Sequence, residues 1–155
     1  MTTATATQKK TPAAQKVSAA PAKKTMTNYI EAVGRRKTAI ARVRIVESAK
    51  LSVVINGKPL ESYFATAHLR DTVTSPMTYE GAIGKFEVSA HVKGGGTTAQ
   101  AEAIRLGISR AMLKDDVQLK GELKKLGFLR RDSRKVERKH FGLKKARKAS
   151  QWKKR

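Results

Sequence analysis

Few residues in this chain are spaced for chemistry. The clearest case is Gly94-Gly95-Gly96-Thr97-Thr98-Ala99, which follows an alternating strand pattern and opens a helical one. It formally fits GxGxxA, the dinucleotide fingerprint, in which bare N–H groups at a helix start hold a phosphate. That chemistry needs further strands and an acidic residue ending the second one. Here the chain runs on into two helices and a cationic tail, with no room for such a domain. No Gly-Lys-Ser/Thr follows, so a P-loop fails as well. Two readings remain: the glycines turn a strand tightly into a helix, or they let backbone amides approach an RNA phosphate. His68, His91 and His140 are scattered without metal-ligand spacing. Cysteine is absent, which excludes disulfides and thiol catalysis and leaves a zinc finger without thiolates. No Ser/His/Asp arrangement stands out. The residues therefore predict no enzyme, no cofactor and no metal.

What the chain does carry is positive charge, unevenly spread. Its 155 residues have a net charge of +22. Residues 1–28 hold five Lys and no acid, and residues 29–127 approach an ordinary globular balance. Residues 128–155 hold thirteen Lys or Arg against Asp132 and Glu137, +11 in all. That last segment has too few aliphatic residues to offset its ordering entropy, so alone it is expected to be disordered. It needs a dense polyanion to fold against, which points to nucleic acid. Arg35, Arg36, Lys37, Arg42 and Arg44 crowd near one strand and would repel each other without a partner, so they form a second candidate binding surface. Charge alone does not separate a dedicated RNA partner from a general basic protein on duplex DNA or assorted RNA.

The elements that must position these groups follow from periodicity. Residues 1–28 lack the apolar core of a secretory signal and read as a disordered basic extension. An organelle transit peptide is the alternative, opposed by the lack of Arg and by Pro12 and Pro21. No apolar run approaches the ~18 residues that span a membrane. Residues 36–46, 51–55 and 86–92 alternate as strands. The linker 47–50 is short enough to pair the first two as a hairpin, and Asn56-Gly57 is a turn signal. Residues 59–70 look helical from Pro59, and Ser75-Pro76 marks a break before the segment 79–84. Thr97-x-x-Gln100 reads as a capping box for a helix over 97–114, with Ala101, Ile104, Ile108 and Ala111 inward. Asp115-Asp116 ends it and caps a helix over 117–126, with Gly127 at its C′ position. Tyr63, Phe64 and Phe86 read as core. Phe128, Phe141 and Trp152 lie in or beside the tail, where packing on bases or on neighbouring proteins is plausible. The expectation is an α+β domain over 29–127, a sheet with helices on one face, flanked by two cationic arms.

Residues 94–111, GGGTTAQAEAIRLGISRA, resemble the signature of the universal small-subunit ribosomal protein nine family, bacterial type. Ala99, Gln100, Ala103, Gly107, Ser109 and Arg110 fall at the family spacing. Gly34-Arg35-Arg36-Lys37-Thr38-Ala39 looks like its opening strand, and Ile55-Asn56-Gly57 with Tyr63-Phe64 also fits. So do Gly127-Phe128-Leu129 and Arg131-Asp132-Ser133-Arg134 with Glu137-Arg138-Lys139. The likeness covers about residues 29–155. It implies the ribosomal protein S5 domain 2-like sandwich, with a left-handed βαβ crossover and a long extended basic tail. It implies a structural constituent of the small ribosomal subunit in a cytoplasmic ribosome, an organellar one being the alternative. The partners implied are the 3′ major (head) domain of small-subunit rRNA, neighbouring head proteins and the peptidyl-site tRNA. Carried onto this chain, rRNA contacts fall to Arg35, Arg36, Lys37, Arg42, Arg44, Gly94, Gly95, Gly96 and Arg110. In the tail they fall to Arg130, Arg131, Arg134, Lys135, Arg138, Lys139, Lys144, Lys145, Arg147 and Lys148. Contacts to tRNA fall to Lys153, Lys154 and Arg155. Bacterial members commonly end Pro-Gln-aromatic-Ser-Lys-Arg. This chain departs with Ser150 in place of Pro and Lys153 in place of Ser.

Overall fold

The computed structural model describes residues 29–79 and 86–153. The extension 1–28, most of the segment 79–84, and Lys154 and Arg155 lie outside the described residues. Among the described residues five strands form one sheet: β1 (Ile30–Arg36), β2 (Ala39–Glu47), β3 (Ser52–Ile55), β4 (Lys58–Pro59) and β5 (Phe86–Lys93). Its order is β1-β2-β5-β3-β4. The β1–β2, β2–β5 and β3–β4 pairs are antiparallel, and β3 runs parallel to β5.

The strand expected over 36–46 is β2, which begins only at Ala39; Arg36 instead ends β1, and the chain folds back at Lys37-Thr38 with Arg36 opposite Ala39. Lys37 takes the left-handed φ of 49° that this tight turn requires. The expected hairpin between β2 and β3 does not form, because β5 pairs with both and separates them. β5 buries Phe86, Val88, Ala90 and Val92 in strict alternation, and alternation states which face is buried but not which strand lies alongside. Asn56-Gly57 makes the β3–β4 turn, both at positive φ. The Asn56 side chain then continues the β5 ladder: it donates to Val92 O at 3.2 Å and accepts from Val92 N at 2.9 Å.

Between β4 and β5 the expected single helix is two: α1 (Leu60–Tyr63) and α2 (Ala67–Thr74). The chain breaks at Phe64, whose ring is pulled into the core and is 1% exposed. Pro59 caps α1 in extended conformation. The N-cap of the long helix α3 (Thr97–Asp115) is Gly96, not Thr97, so no capping box forms. Gln100 instead donates to Gly94 O at 3.2 Å and accepts from the Tyr63 hydroxyl at 2.9 Å. Asp116 accepts from Gln118 N at 2.8 Å and starts a 3₁₀ turn over Val117–Leu119. This leads into α4 (Lys120–Lys125). Gly127, at φ 75°, closes α4: Gly127 N bonds Lys124 O and Phe128 N bonds Leu123 O. This is a Schellman cap.

The core lies between one face of the sheet and α3. Small residues recur every fourth position on the helix, Ala99, Ala103, Gly107 and Ala111, and all are buried. They let α3 sit almost on the backbone of β1 and β2. A Cβ at Gly34 would overlap the Ala103 carbonyl oxygen, and one at Gly107 would lie 2.5 Å from Val43 Cγ2. The inward side of β1 is accordingly Ala32, Gly34 and Arg36. The same helix guards the sheet edge: Arg110 donates to Val33 O at 2.9 Å and Lys114 to Glu31 O at 2.7 Å. Gly34→Ala should overpack against backbone that has little room to move and destabilise by about 1–3 kcal/mol. Gly96→Ser, in open space at φ −97°, should be neutral or slightly stabilising. Urea denaturation of the two variants checks the contrast.

Candidate nucleic-acid interface

The tail leaves the domain through a charged joint. Arg36 is 8% exposed, on the inward side of β1. Its Nε pairs with Glu102 of α3, its Nη2 reaches Asp132 Oδ2 at 2.8 Å, and its Nη1 donates to Arg134 O at 2.8 Å. One guanidinium thus ties the first strand, the long helix and the start of the tail together. Arg134 folds back on Asp132 through its backbone N–H at 2.9 Å and its guanidinium at 2.8 Å. These Arg134 contacts, with the Arg36 charge nearby, hold the Asp132 carboxyl well below the usual carboxylate range. Above the joint, Arg105 of α3 stacks over the Phe128 ring at 5.9 Å. Residues 127 and 130–134 line a concavity of about 400 Å³ beside it. Arg130 and Arg131 are exposed there.

Several of the expected contact residues are therefore engaged within the protein, Arg134 on Asp132 among them. Arg36 is turned inward as the joint, and Arg110 caps the edge of β1 while staying exposed. The correction for Arg36 is one of parity. Gly34 must face α3, and Arg36, two residues on, faces the same way.

Arg35, Arg42 and Arg44 sit on the opposite, uncovered face of the sheet. In register, Arg35 lies beside Ile40, whose other neighbour is Lys93, while Arg42 lies beside Val33 and His91, and Arg44 beside Glu31 and Ser89. Lys93 extends this basic face, with His91 next to Arg42, and neither is among the binding residues expected from the sequence. Glu31 partly neutralises it, lying 3.6 Å from Arg42 and 2.7 Å from Arg44. The Arg44 guanidinium also stacks 4.5 Å over the Tyr29 ring. Lys37 projects from the neighbouring turn and is exposed.

Gly94 and Gly95 both adopt φ 70°. A Cβ would lie 2.7 Å from Thr38 O at the first and 2.9 Å from the Ala39 Cβ at the second. The β1–β2 turn thus accounts for both, as a tight strand-to-helix connection against a close neighbour. Gly96 is exposed at the start of α3 with nothing within 4 Å.

Beyond the joint, residues 135–153 form no helix or strand, and most are exposed. Lys135, Arg138, Lys139, Lys144, Lys145, Arg147, Lys148 and Lys153 all face solvent. Glu137 takes Arg147 at 2.9 Å and lies 3.8 Å from His140. Among the described residues, the other cations of this stretch take no acidic partner. No group of three metal-ligating side chains occurs among the described residues.

Residues 34–155 match the family model described as Ribosomal protein S9/S16. Over 126 residues the chain is 48% identical to the small ribosomal subunit protein uS9 of Cytophaga hutchinsonii, covering 81% of this chain and 98% of that protein.

Two outcomes test the joint. Arg36→Met strands Glu102, leaves Asp132 to Arg134 alone and should cost on the order of 2 kcal/mol. It should also speed amide exchange across residues 128–134 while leaving the exchange of β5 amides unchanged under conditions of local opening. The second outcome concerns pH. The folded Asp132 value is depressed from its ordinary 3.8, so its contribution is complete above that range and is lost as pH falls through it. In paired urea titrations, the advantage of wild type over Asp132→Asn should be constant near neutrality and shrink below about pH 4.

Proposed function

Because the chain belongs to the ribosomal protein S9/S16 family, we propose that its basic face and tail hold small-subunit rRNA. The family assignment makes it a structural, non-enzymatic constituent of the small subunit of a bacterial-type cytoplasmic ribosome, with rRNA and other ribosomal proteins as partners. The finer reading places it on the 3′ major (head) domain, with the tail threading between rRNA segments toward the peptidyl site. For the domain we propose the ribosomal protein S5 domain 2-like sandwich. The parallel β3–β5 pair, joined across α1 and α2 within an otherwise antiparallel sheet, supports that assignment.

The observation that carries the functional reading is the tail. It is anchored at Asp132 and Arg134, then runs exposed and cationic with a single acid, Glu137. Lys135, Arg138, Lys139, Lys144, Lys145, Arg147 and Lys148 neutralise rRNA phosphates and release their counterions. Arg130, Arg131 and Arg134 do so at the joint. Arg35, Lys37, Arg42 and Arg44 form the second contact, on the sheet face, and Arg110 a third beside its edge. Gly94, Gly95 and Gly96 bring exposed backbone close enough for a phosphate to approach. Arg36 contributes indirectly, by aiming the tail. Lys153, Lys154 and Arg155 reach the peptidyl-site tRNA. Trp152, 99% exposed, offers a ring beside them for stacking on a base.

Filter binding of the full chain to small-subunit rRNA tests this. If 6–10 tail cations engage phosphates, affinity should fall roughly 10³–10⁵-fold between 50 and 200 mM salt. Deleting residues 128–155 should remove most of that affinity and flatten the salt dependence. Affinity unchanged by the deletion would refute the tail as the binding arm. Deleting only Lys154 and Arg155 should spare assembly and weaken tRNA retention in the particle.

A further inference from the structure

Beyond the joint, the tail closes on itself. Glu137 Oε2 holds Arg147 Nε at 2.9 Å, and Lys144 N donates to Lys148 O at 2.7 Å. The ion pair brings the two ends of residues 137–147 together as a loop, and the backbone bond tightens its second half. Gly142, at φ 77°, turns the chain midway along it. Phe141, next to that turn, is 100% exposed. The other phenylalanines are packed: Phe64 is 1% exposed, Phe86 is 7% exposed, and Phe128 lies under Arg105. Around Phe141, Arg138, Lys139, Lys144 and Lys145 are exposed cations. The one acid of the loop, Glu137, is already occupied by Arg147.

Covering a bare ring with a partner takes apolar surface out of water and is favourable. The partner must tolerate four cations within a few residues of the ring. An unpaired nucleotide run meets both demands, because each base has a π-face and each link a phosphate. An apolar pocket on a protein would supply the first and lack the charge.

We propose that Phe141 is a base-stacking residue. Presented by the ion-paired loop, it stacks on an unpaired base, while Arg138, Lys139, Lys144 and Lys145 hold the flanking phosphates. This rests on the reading of the tail as an RNA-binding arm. Glu137 then has a positioning role: it shapes the loop and touches no RNA. The pair it makes is exposed and weak by itself, so the loop becomes rigid on the RNA.

Affinity for isolated small-subunit rRNA is measured for the full chain, Phe141→Leu, Phe141→Tyr and the 128–155 deletion, each across a salt series. Phe141→Leu keeps apolar bulk and loses the π-face. It should bind roughly 5- to 150-fold more weakly, with the salt slope unchanged because no phosphate contact is lost. Phe141→Tyr should match wild type. Wild-type affinity in Phe141→Leu, with the deletion still defective, would overturn stacking and leave the tail reading intact. Equal losses in Phe141→Leu and Phe141→Tyr would also overturn it, by showing a contact that depends on shape alone. Normal rRNA affinity in Phe141→Leu with poor incorporation into subunits would place a protein pocket, not a base, on the ring. A deletion with full affinity would remove the tail reading and this proposal together.

Discussion

Helix α3 lies so close to β1 that Gly34 has no space for a side chain. Much else in the molecule follows from that approach. The helix can come this near only because Ala99, Ala103, Gly107 and Ala111 fall on one face. Once Gly34 faces the helix, strand geometry turns Ala32 and Arg36 the same way. Arg36 is then a charge at the margin of the core and requires partners. Glu102 on α3 and Asp132 at the start of the tail supply them. The packing of one strand on one helix thereby sets where the cationic tail leaves the domain. It also sets the other face of the sheet, where Arg35, Arg42 and Arg44 point away from the core.

The tail's two acids have the same logic in reverse. In a segment of +11, an acid weakens phosphate binding unless it shapes the chain. Asp132 secures the root against Arg36 and Arg134, and Glu137 draws Arg147 back across ten residues. The root is partly buried and multiply bonded, whereas the Glu137 pair is exposed and contributes little by itself. Order should therefore decline along the tail in the free protein. On a polyanion, the unpartnered cations gain the charges that the domain does not provide.

Much of this was legible in the residues, in an uneven way. β5 and the inward face of α3 were plain because Val, Ile and Ala recur at periods that match their elements. The Asn56-Gly57 turn and the Gly127 cap were legible because their backbone conformations favour those residue types. β1 was hidden, since a strand whose inward side is Ala32, Gly34 and Arg36 shows its Val33 outward and inverts the apolar pattern. The β2–β3 hairpin was misjudged because a short linker does not exclude a third strand between its ends. The capping box fails because Gln100 is drawn to Gly94 and to Tyr63, and the Tyr63 contact lies outside any short window. The same limit applies to the tail joint. Arg36 and Asp132 are almost a hundred positions apart, and only the packing of α3 brings them together. Asp132 was nonetheless conspicuous as one of two acids in a cationic segment, a signal for an internal partner.

The central claim is that this chain is held on small-subunit rRNA through its tail. The most direct measurement is crosslinking of the tagged protein in cells, with sequencing of the attached RNA and mapping of the crosslinked residues. The account predicts crosslinks concentrated in the head of small-subunit rRNA, mapped to tail residues beyond Arg134 and to the Arg42–Arg44 face. It also predicts tRNA caught only by the extreme C-terminus. Crosslinks scattered over many RNAs, with no sedimentation in the small subunit, would contradict it.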